Sequence, residues 1–189
     1  SKKNTSTTRM YHAINTKYNI YFNANEAYKE SLKSKQAGYQ DNLSQIISIY
    51  PGAIEEEELK QRTGGSFDVT VDKTTKAIKI HSIRTKPERD PAKRKNQEYQ
   101  AWLKQQEFNP FLKNAWLLLG KAEFQNEDYI QAVSTLLYVT RLYKGDNDVV
   151  AEARIWIAKA YTAMGWFYEA EDIFHKIKLA GGVPENLTT

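Results

Sequence analysis

The strongest constraint on the fold is an internal repeat in the C-terminal half of this 189-residue chain. Between residues 110 and 180, apolar residues recur at helical spacing and predict four helices, at roughly 110–125, 127–143, 148–163 and 167–180. The breaks between these segments are short. Because apolar-faced helices joined by short connections pack as antiparallel neighbours, this half of the chain predicts two stacked helix pairs.

The two predicted pairs are copies of one unit, repeated at a spacing of 38 residues. At this spacing, Gly120 aligns with Ala158 and Ala132 aligns with Ala170. Small residues let two helices approach closely, and large side chains beside them fill the remaining space. The residues expected to define this packing are Trp116, Leu119, Gly120, Tyr129 and Ala132 in the first copy, and Ile157, Ala158, Tyr161, Ala170 and Phe174 in the second.

The order of these residues, beginning with Trp116, Leu119 and Gly120, resembles the tetratricopeptide repeat (TPR). The family period is about 34 residues, so the link at 143–149 carries about four extra residues, and the closing proline of the family is absent from both copies. The resemblance implies an all-α fold of tetratricopeptide-like helical hairpins stacked as a short right-handed solenoid. One repeat would occupy 110–145 and the next 146–182, with a tail at 183–189.

The N-terminal half gives weaker signals. Residues 1–50 predict N-terminal helices that are broken by a turn at 23–25, with Asn25 as the cap of the next helix, and end in a short helix at 41–50. Residues 51–67 predict a connector. A degenerate third repeat stays open here, with Asn15 in place of the small residue and matches at Tyr11, Ile14, Tyr18 and Ala27.

Residues 68–109 predict a helix, a basic loop and a short helix. The alternation of Phe67, Val69 and Val71 also fits a β-strand, but a lone strand would have no partner in a helical chain. We therefore expect a helix over 68–82, and a second, shorter one over 97–107.

The net charge of +4 is concentrated in one segment. Residues 84–95 contain six basic and two acidic side chains, which accounts for the whole excess. Two prolines and the lack of apolar periodicity predict a mobile, solvated loop that contributes little to stability. Because no aromatic residue lies among these basic residues, we expect no nucleic-acid partner, while an acidic protein or a lipid surface stays open.

No pattern in the sequence indicates catalysis, a cofactor or a metal. The chain has no cysteine, which excludes disulfides and thiolate metal sites within it. Its three histidines, His12, His81 and His175, have no second ligand at helical spacing, so we expect half-exposed helix residues. Phosphate-binding glycine loops and nucleophile elbows are also absent from the sequence. The longest apolar run is five residues, far below the roughly 20 of a membrane span.

A second resemblance covers most of the chain. It is carried by five groups of residues: Lys2, Lys3, Asn4 and Thr5; Tyr11 and His12; residues 18–23 with Glu26 and Ala27; residues 98–103 followed by Asn109, Pro110 and Phe111; and residues 115–121. These are similar to the N-terminal part of the TPR lipoprotein family of Bacteroidota that serves type IX secretion and gliding motility (PorW/SprE). Family members usually carry a lipidated cysteine just before such a start, and Asn-Gly where this chain has Asn23 and Ala24.

The resemblance implies a non-catalytic protein–protein interaction scaffold on the periplasmic side of the outer membrane, attached by a lipid anchor upstream of Ser1. Its partners would be secretion-machine components. The residues expected to line the binding groove are Asn114, Leu117, Lys121, Phe124, Gln125, Glu152, Ile155, Lys159 and Thr162, with Lys121 and Lys159 as carboxylate partners. The alternative is a glycan- or nutrient-uptake lipoprotein with TPR helices, although residues 51–67 and 84–96 lack the aromatic-rich loops that such proteins need.

Overall fold

A computed structural model of the chain describes residues 3–38 and 66–181. These residues contain helices and no β-strand, so the all-α prediction is confirmed, including the helix predicted over 68–82. The elements are α1 (Ser6–Asn15), a π-helical segment (Thr16–Tyr21), α2 (Phe22–Ala37), α3 (Asp68–His81), a 3-10 turn (Pro91–Lys93), α4 (Gln97–Leu103), α5 (Leu112–Gln125), α6 (Tyr129–Leu142), α7 (Asn147–Ala163) and α8 (Phe167–Leu179). The helix predicted at 41–50, nearly all of the connector at 51–67 and the tail at 183–189 lie outside the described residues.

Short polar side chains fix three of the helix starts. The Thr5 hydroxyl accepts a hydrogen bond from the Thr8 backbone N–H at 3.1 Å, at the start of α1. Asn96 accepts from the Tyr99 N–H at 2.9 Å before α4, and Asp146 accepts from the Val149 N–H at 3.3 Å before α7. Each cap satisfies an amide that has no partner within its helix, so these starts are encoded locally.

The turn predicted at 23–25 is wrong. Helix α1, the π-helical segment and α2 follow one another without interruption, and Asn25 caps no helix. Asparagine favours turns because its side chain competes for backbone groups, but Asn23 donates instead to the Asn19 carbonyl, at 2.7 Å, within the helix. Ala24 is fully buried, and its carbonyl accepts a hydrogen bond from the Thr70 hydroxyl of α3 at 3.3 Å. Tertiary packing therefore overrides the local turn preference.

Apart from the short helix α4, the described helices form three pairs that follow one another in space. The first pair is the continuous helix over residues 6–37 with α3, the second is α5 with α6, and the third is α7 with α8. Each pair also contacts the next, because α3 packs on α5 and α6 packs on α7. The first helices of neighbouring pairs touch as well: the π-helical segment contacts α5, and α5 contacts α7.

The first pair follows the register of the second pair. The rings of Tyr28 and Phe67 lie 5.3 Å apart, as do the rings of Phe124 and Tyr129, at 5.4 Å. This equivalence places Ala24 at the position of Gly120, with 96 residues between them in the sequence. The N-terminal described residues therefore form a helix pair, with Ala24 as its small residue and α3 as its second helix. The register through Asn15 is wrong, since Tyr11, Ile14 and Tyr18 are 61%, 45% and 66% exposed.

The main core lies between the second and third pairs, with Leu136, Val139, Ala153, Ile157 and Ala158 fully buried in it. Gly120 lies where α5 and α6 cross closely, since a Cβ atom there would be 2.7 Å from the Leu136 side chain. A smaller cluster of Ala77, Leu112 and Ala115 joins the first pair to the second. The three pairs are therefore linked by continuous apolar packing.

The basic segment at 84–95 is exposed at most positions, and specific contacts also anchor it to the rest of the protein. Lys86 Nζ donates to the carbonyls of Leu103 and Gln105, at 2.6 and 2.8 Å, and Pro87 is buried. The Asp90 backbone N–H donates to the Tyr99 hydroxyl at 2.9 Å. Helix α4 ends at Leu103 rather than near residue 107, and its last carbonyl is among those that bind Lys86.

Candidate protein-interaction surface

Aromatic, lysine and glutamate side chains lie along the first helices of all three pairs, in one cluster around Phe111 and another around Trp156. We call this set the aromatic–lysine band. Its members come from the π-helical segment, from the start and middle of α5, and from α7, and they are Lys17, Tyr18, Tyr21, Phe111, Lys121, Glu152, Trp156 and Lys159. The band exists because the π-helical segment, α5 and α7 lie side by side.

The N-terminal half of the band is built around Phe111. Tyr21 meets the Phe111 ring edge-on, with 5.1 Å between the ring centroids. Lys17 Nζ lies 4.8 Å from the centroid of the Tyr18 ring and 5.9 Å from that of Phe111. An ammonium at these distances is attracted to the negative face of an aromatic ring. Tyr18 remains largely exposed, so this half presents an aromatic ring and a cation to solvent.

The C-terminal half of the band is centred on Trp156. Lys159 Nζ lies 4.5 Å from the Trp156 ring centroid, and Lys121 Nζ lies 5.6 Å from it. Lys121 also forms an ion pair with Glu152 at 2.5 Å, which links α5 to α7. The Phe124 ring packs edge-on against the Trp156 ring, with 5.3 Å between the ring centroids.

Electrostatics connect the two halves and leave the band positive. Burial raises the pKa of Tyr21, and the negative charge of Glu152 raises it further. Lys121 is neutralised by Glu152, so it does not present the free cation expected from the sequence. Within residues 3–38 and 66–181, no ion pair involves Lys17 or Lys159. These two cations are therefore available to a partner.

The nine predicted groove residues divide into three groups: four that meet around Trp156, one that is buried in the main core, and four that make local contacts. Lys121, Phe124, Glu152 and Lys159 come together around Trp156, as the contacts above show. Leu117 is wrong as a groove residue, because it is 5% exposed and belongs to the main core. The reason is that α5 is surrounded by α3, α6, α7 and the π-helical segment, so its apolar residues are covered.

The remaining groove candidates make local contacts. Asn114 is half-buried and donates to the Phe111 carbonyl at 3.3 Å, and the Thr162 hydroxyl donates to the Ala158 carbonyl at 2.9 Å. Ile155 is partly buried against the main core. Burial raises the pKa of Tyr28 in the first pair, and a side-chain hydrogen bond with Gln125 partly offsets this rise. These four side chains serve packing and helix contacts more than a shared surface.

Most residues proposed to define the repeat packing are buried or partly buried. Leu119, Gly120, Ala132, Ile157, Ala158 and Ala170 are buried, and Trp116, Tyr129 and Tyr161 pack against the main core. Phe174 is the exception, since 55% of it is exposed. Its equivalent in the second pair, Leu136, lies between α5 and α7, whereas no further helix follows α8 within the described residues.

Sequence reasoning missed five of the eight residues of the band: Lys17, Tyr18, Tyr21, Phe111 and Trp156. Tyr18 and Tyr21 occupy the positions of Asn114 and Leu117 at the spacing that separates Ala24 from Gly120. That spacing was hidden, because the long segment between α2 and α3 interrupts the first pair and because Asn15 was taken as the crossing residue. The spacing of 38 residues also aligns Trp156 with Leu118, which is buried, so the repeat itself gave no reason to expect a surface residue there.

Outside the aromatic–lysine band, a cluster of polar side chains joins the first pair to the second pair. His12 and His81, predicted to be independent, meet through their Nδ1 atoms at 2.8 Å. Asn109 is buried and donates both to the Thr16 hydroxyl, at 2.9 Å, and to the His81 carbonyl, at 3.0 Å. Glu107 accepts hydrogen bonds from the backbone N–H groups of Ile83 and Asn109. Because these contacts lie within the chain, this cluster has the character of a structural junction between the first and second pairs.

No group of three or more His, Asp or Glu side chains able to hold a metal ion occurs in the described part of the chain. Among the same residues, no helix is both long and apolar enough to span a bilayer. The chain matches no known protein-family model and no curated protein.

Proposed function

We propose that the chain is a non-catalytic scaffold for protein–protein interaction, and that its helix pairs form a TPR-like right-handed solenoid. The observation that carries this proposal is the aromatic–lysine band, which runs across the first helices of three successive pairs. In stacked helix-pair proteins, the first helices of the pairs line an extended concave surface that binds partners.

The succession of the pairs supports the solenoid. Each second helix packs on the first helix of the following pair, and the first helices touch one another. Small residues, Ala24, Gly120 and Ala158, occupy equivalent buried positions in the three pairs. This regularity is expected of repeats that bury their apolar faces on their neighbours.

The chemistry of the band supports a peptide or helical partner. Tyrosine and tryptophan are enriched at protein interfaces, because one large side chain combines apolar area with a polar group. Lys17 and Lys159, lying over aromatic rings, add positive charge that favours acidic groups on the partner. Within residues 3–38 and 66–181, neither lysine lies in a cluster of acid, base and nucleophile that catalysis would need.

The biological setting of this proposal comes from the sequence resemblance to the PorW/SprE family. On that basis, the chain is the N-terminal part of an outer-membrane lipoprotein that faces the periplasm and is held by a lipid anchor before Ser1. Its partners are then components of the type IX secretion and gliding machinery. No cofactor, nucleic acid or metal has a role in this proposal.

Affinity capture of the full-length protein from envelope extracts, followed by mass spectrometry, tests the proposal. The band variant combines Tyr18→Ser with Lys159→Glu, and the matched control combines Tyr168→Ser with Lys144→Glu, which lie on exposed surface outside the band. We expect secretion components with the wild type and the control, and their loss with the band variant. The same partners with all three proteins would refute the band as the binding surface, and capture of outer-membrane nutrient transporters instead would favour an uptake lipoprotein.

A further inference from the structure

The basic segment presents four cations to solvent. Arg84 and Lys86 are used internally, because Arg84 donates to the Tyr138 hydroxyl at 2.7 Å and Lys86 donates to two carbonyls. The other four, Arg89, Lys93, Arg94 and Lys95, are exposed. Asp90 lies 3.8 Å from Lys93, which is a weak contact at the surface. Contacts to the protein therefore leave most of the positive charge of this segment unneutralised.

Helix α1 lies at the same end of the molecule as these cations. Asn4 donates to the Thr85 carbonyl at 2.6 Å, which ties the start of α1 to the basic segment. The Arg9 guanidinium lies 4.9 Å from the Trp102 ring centroid, Trp102 stacks on Tyr99, and Lys93 Nζ lies 5.9 Å from the Tyr99 ring. A short chain of contacts thus joins α1 to the exposed cations.

Helix α1 adds exposed apolar side chains to this end. Met10 is 65% exposed, and Tyr11 and Ile14 are also exposed. In the register of the pairs, Thr16 is the equivalent of Leu112, the first residue of α5. Helix α1 therefore precedes the region that corresponds to α5 in the second pair, and it presents apolar side chains to solvent.

We propose that this end of the molecule, formed by α1 and residues 84–95, docks on an anionic phospholipid bilayer. Four exposed cations in residues 84–95 and the exposed apolar side chains of α1, which Asn4 ties to this segment, match the two requirements of an interfacial membrane site, charge attraction and shallow apolar insertion. Each exposed basic residue adds to the attraction toward an anionic surface.

Sedimentation of the 189-residue chain with lipid vesicles tests this proposal. At low salt, we expect binding to vesicles that contain phosphatidylglycerol, little binding to pure phosphatidylcholine vesicles, and release as the salt concentration rises. The charge variant Lys93→Gln/Arg94→Gln/Lys95→Gln should weaken vesicle partitioning by about tenfold or more. The apolar variant Met10→Ser/Ile14→Ser should weaken it severalfold with the charges intact.

The matched control is Arg141→Gln/Lys144→Gln/Lys178→Gln, which removes the same charge from exposed positions outside this end. It should bind vesicles like the wild type, and circular dichroism should show unchanged helicity for all variants. The proposal is overturned if anionic vesicles do not bind, if the control loses as much binding as the charge variant, or if the apolar variant loses none. Tighter binding to a soluble acidic polypeptide or to RNA at the same salt would also overturn it.

Discussion

The first and second helix pairs share one geometry but fill it with different chemistry. At the crossing of the second pair, Ala132, Leu136 and Val139 of α6 are buried. The equivalent residues of α3 are Thr70, Thr74 and Ala77, each 62 residues earlier in the sequence, and they are fully buried. The threonine hydroxyls are satisfied within the structure, because Thr70 donates to the Ala24 carbonyl and Thr74 donates to the Thr70 carbonyl at 2.7 Å.

This difference shows that close approach, more than hydrophobicity, defines a helix crossing here. Ala24 and Gly120 allow the approach in both pairs, and the facing side chain can be a leucine or a threonine whose hydroxyl bonds to a backbone carbonyl. A buried hydroxyl is tolerated when it is hydrogen-bonded, but it adds less transfer free energy than a leucine. The second pair should therefore supply more of the stability than the first.

The largest expected effect compares equivalent residues of α6 and α3. Leu136→Ala should lower the free energy of unfolding by about 2–5 kcal/mol, because it removes a fully buried side chain and leaves a cavity. Thr74→Ala should cost about 1 kcal/mol, the net value of its hydrogen bond. Urea unfolding followed by circular dichroism measures both, with the exposed Leu137→Ala as the control. Equal costs at the two positions would break the comparison.

The next effect tests the tight crossing at Gly120. A Cβ atom there would lie 2.7 Å from Leu136, so Gly120→Ala should cost about 1–3 kcal/mol through overpacking. Adding Leu136→Ala should relieve the clash, so the double variant should lose less stability than the two single losses combined. The residue equivalent to Gly120 in the first pair is Ala24, which already carries a Cβ atom at its helix crossing. Strict additivity in the double-mutant cycle would show that Gly120 is not constrained by Leu136.

The smallest effect concerns a buried carboxyl group of the second pair, at a position where the first pair has an alanine. Glu123 is buried in α5, its Oε2 atom has no hydrogen-bond partner in the described part of the chain, and the equivalent residue of the first pair is Ala27. Burial raises the pKa of Glu123 above 4.5, partly offset by hydrogen bonds from Thr135 and Gln131. The folded state thus binds the proton more tightly, so stability falls as the pH rises from about 4.5 through the raised pKa.

Glu123→Gln removes this titration, so it should stabilise the protein at pH 7 and flatten the acid side of its stability profile. Thermal unfolding of wild type and variant between pH 4 and pH 8 measures both changes. The exposed Glu169→Gln serves as the control. A variant that is less stable than the wild type at pH 7 would mean that the ionised carboxylate is favoured in the fold.

Much of the second and third pairs could be predicted from residue spacing, whereas the first pair could not. Helices α5 to α8 carry apolar residues at helical spacing and small residues at a constant interval, so their existence and most of their buried residues were visible. The first pair has Thr74 where the second and third pairs have Leu136 and Phe174, and its two helices are separated by a long segment. Without an apolar signal or a constant interval, Asn15 was taken for Ala24 and a turn was placed inside a helix.

The sequence by itself determined the helical class, the helix caps and the repeat of the C-terminal half, because caps and apolar spacing act over a few residues. The tertiary structure alone decided which side chains meet across distant segments. Tyr21 reaches Phe111, His12 reaches His81, and Lys121 is neutralised by Glu152. These contacts depend on how the pairs stack, and a shift of one helical position would replace each partner. The aromatic–lysine band and the basic end of the molecule are therefore products of packing, although every residue in them is visible in the sequence.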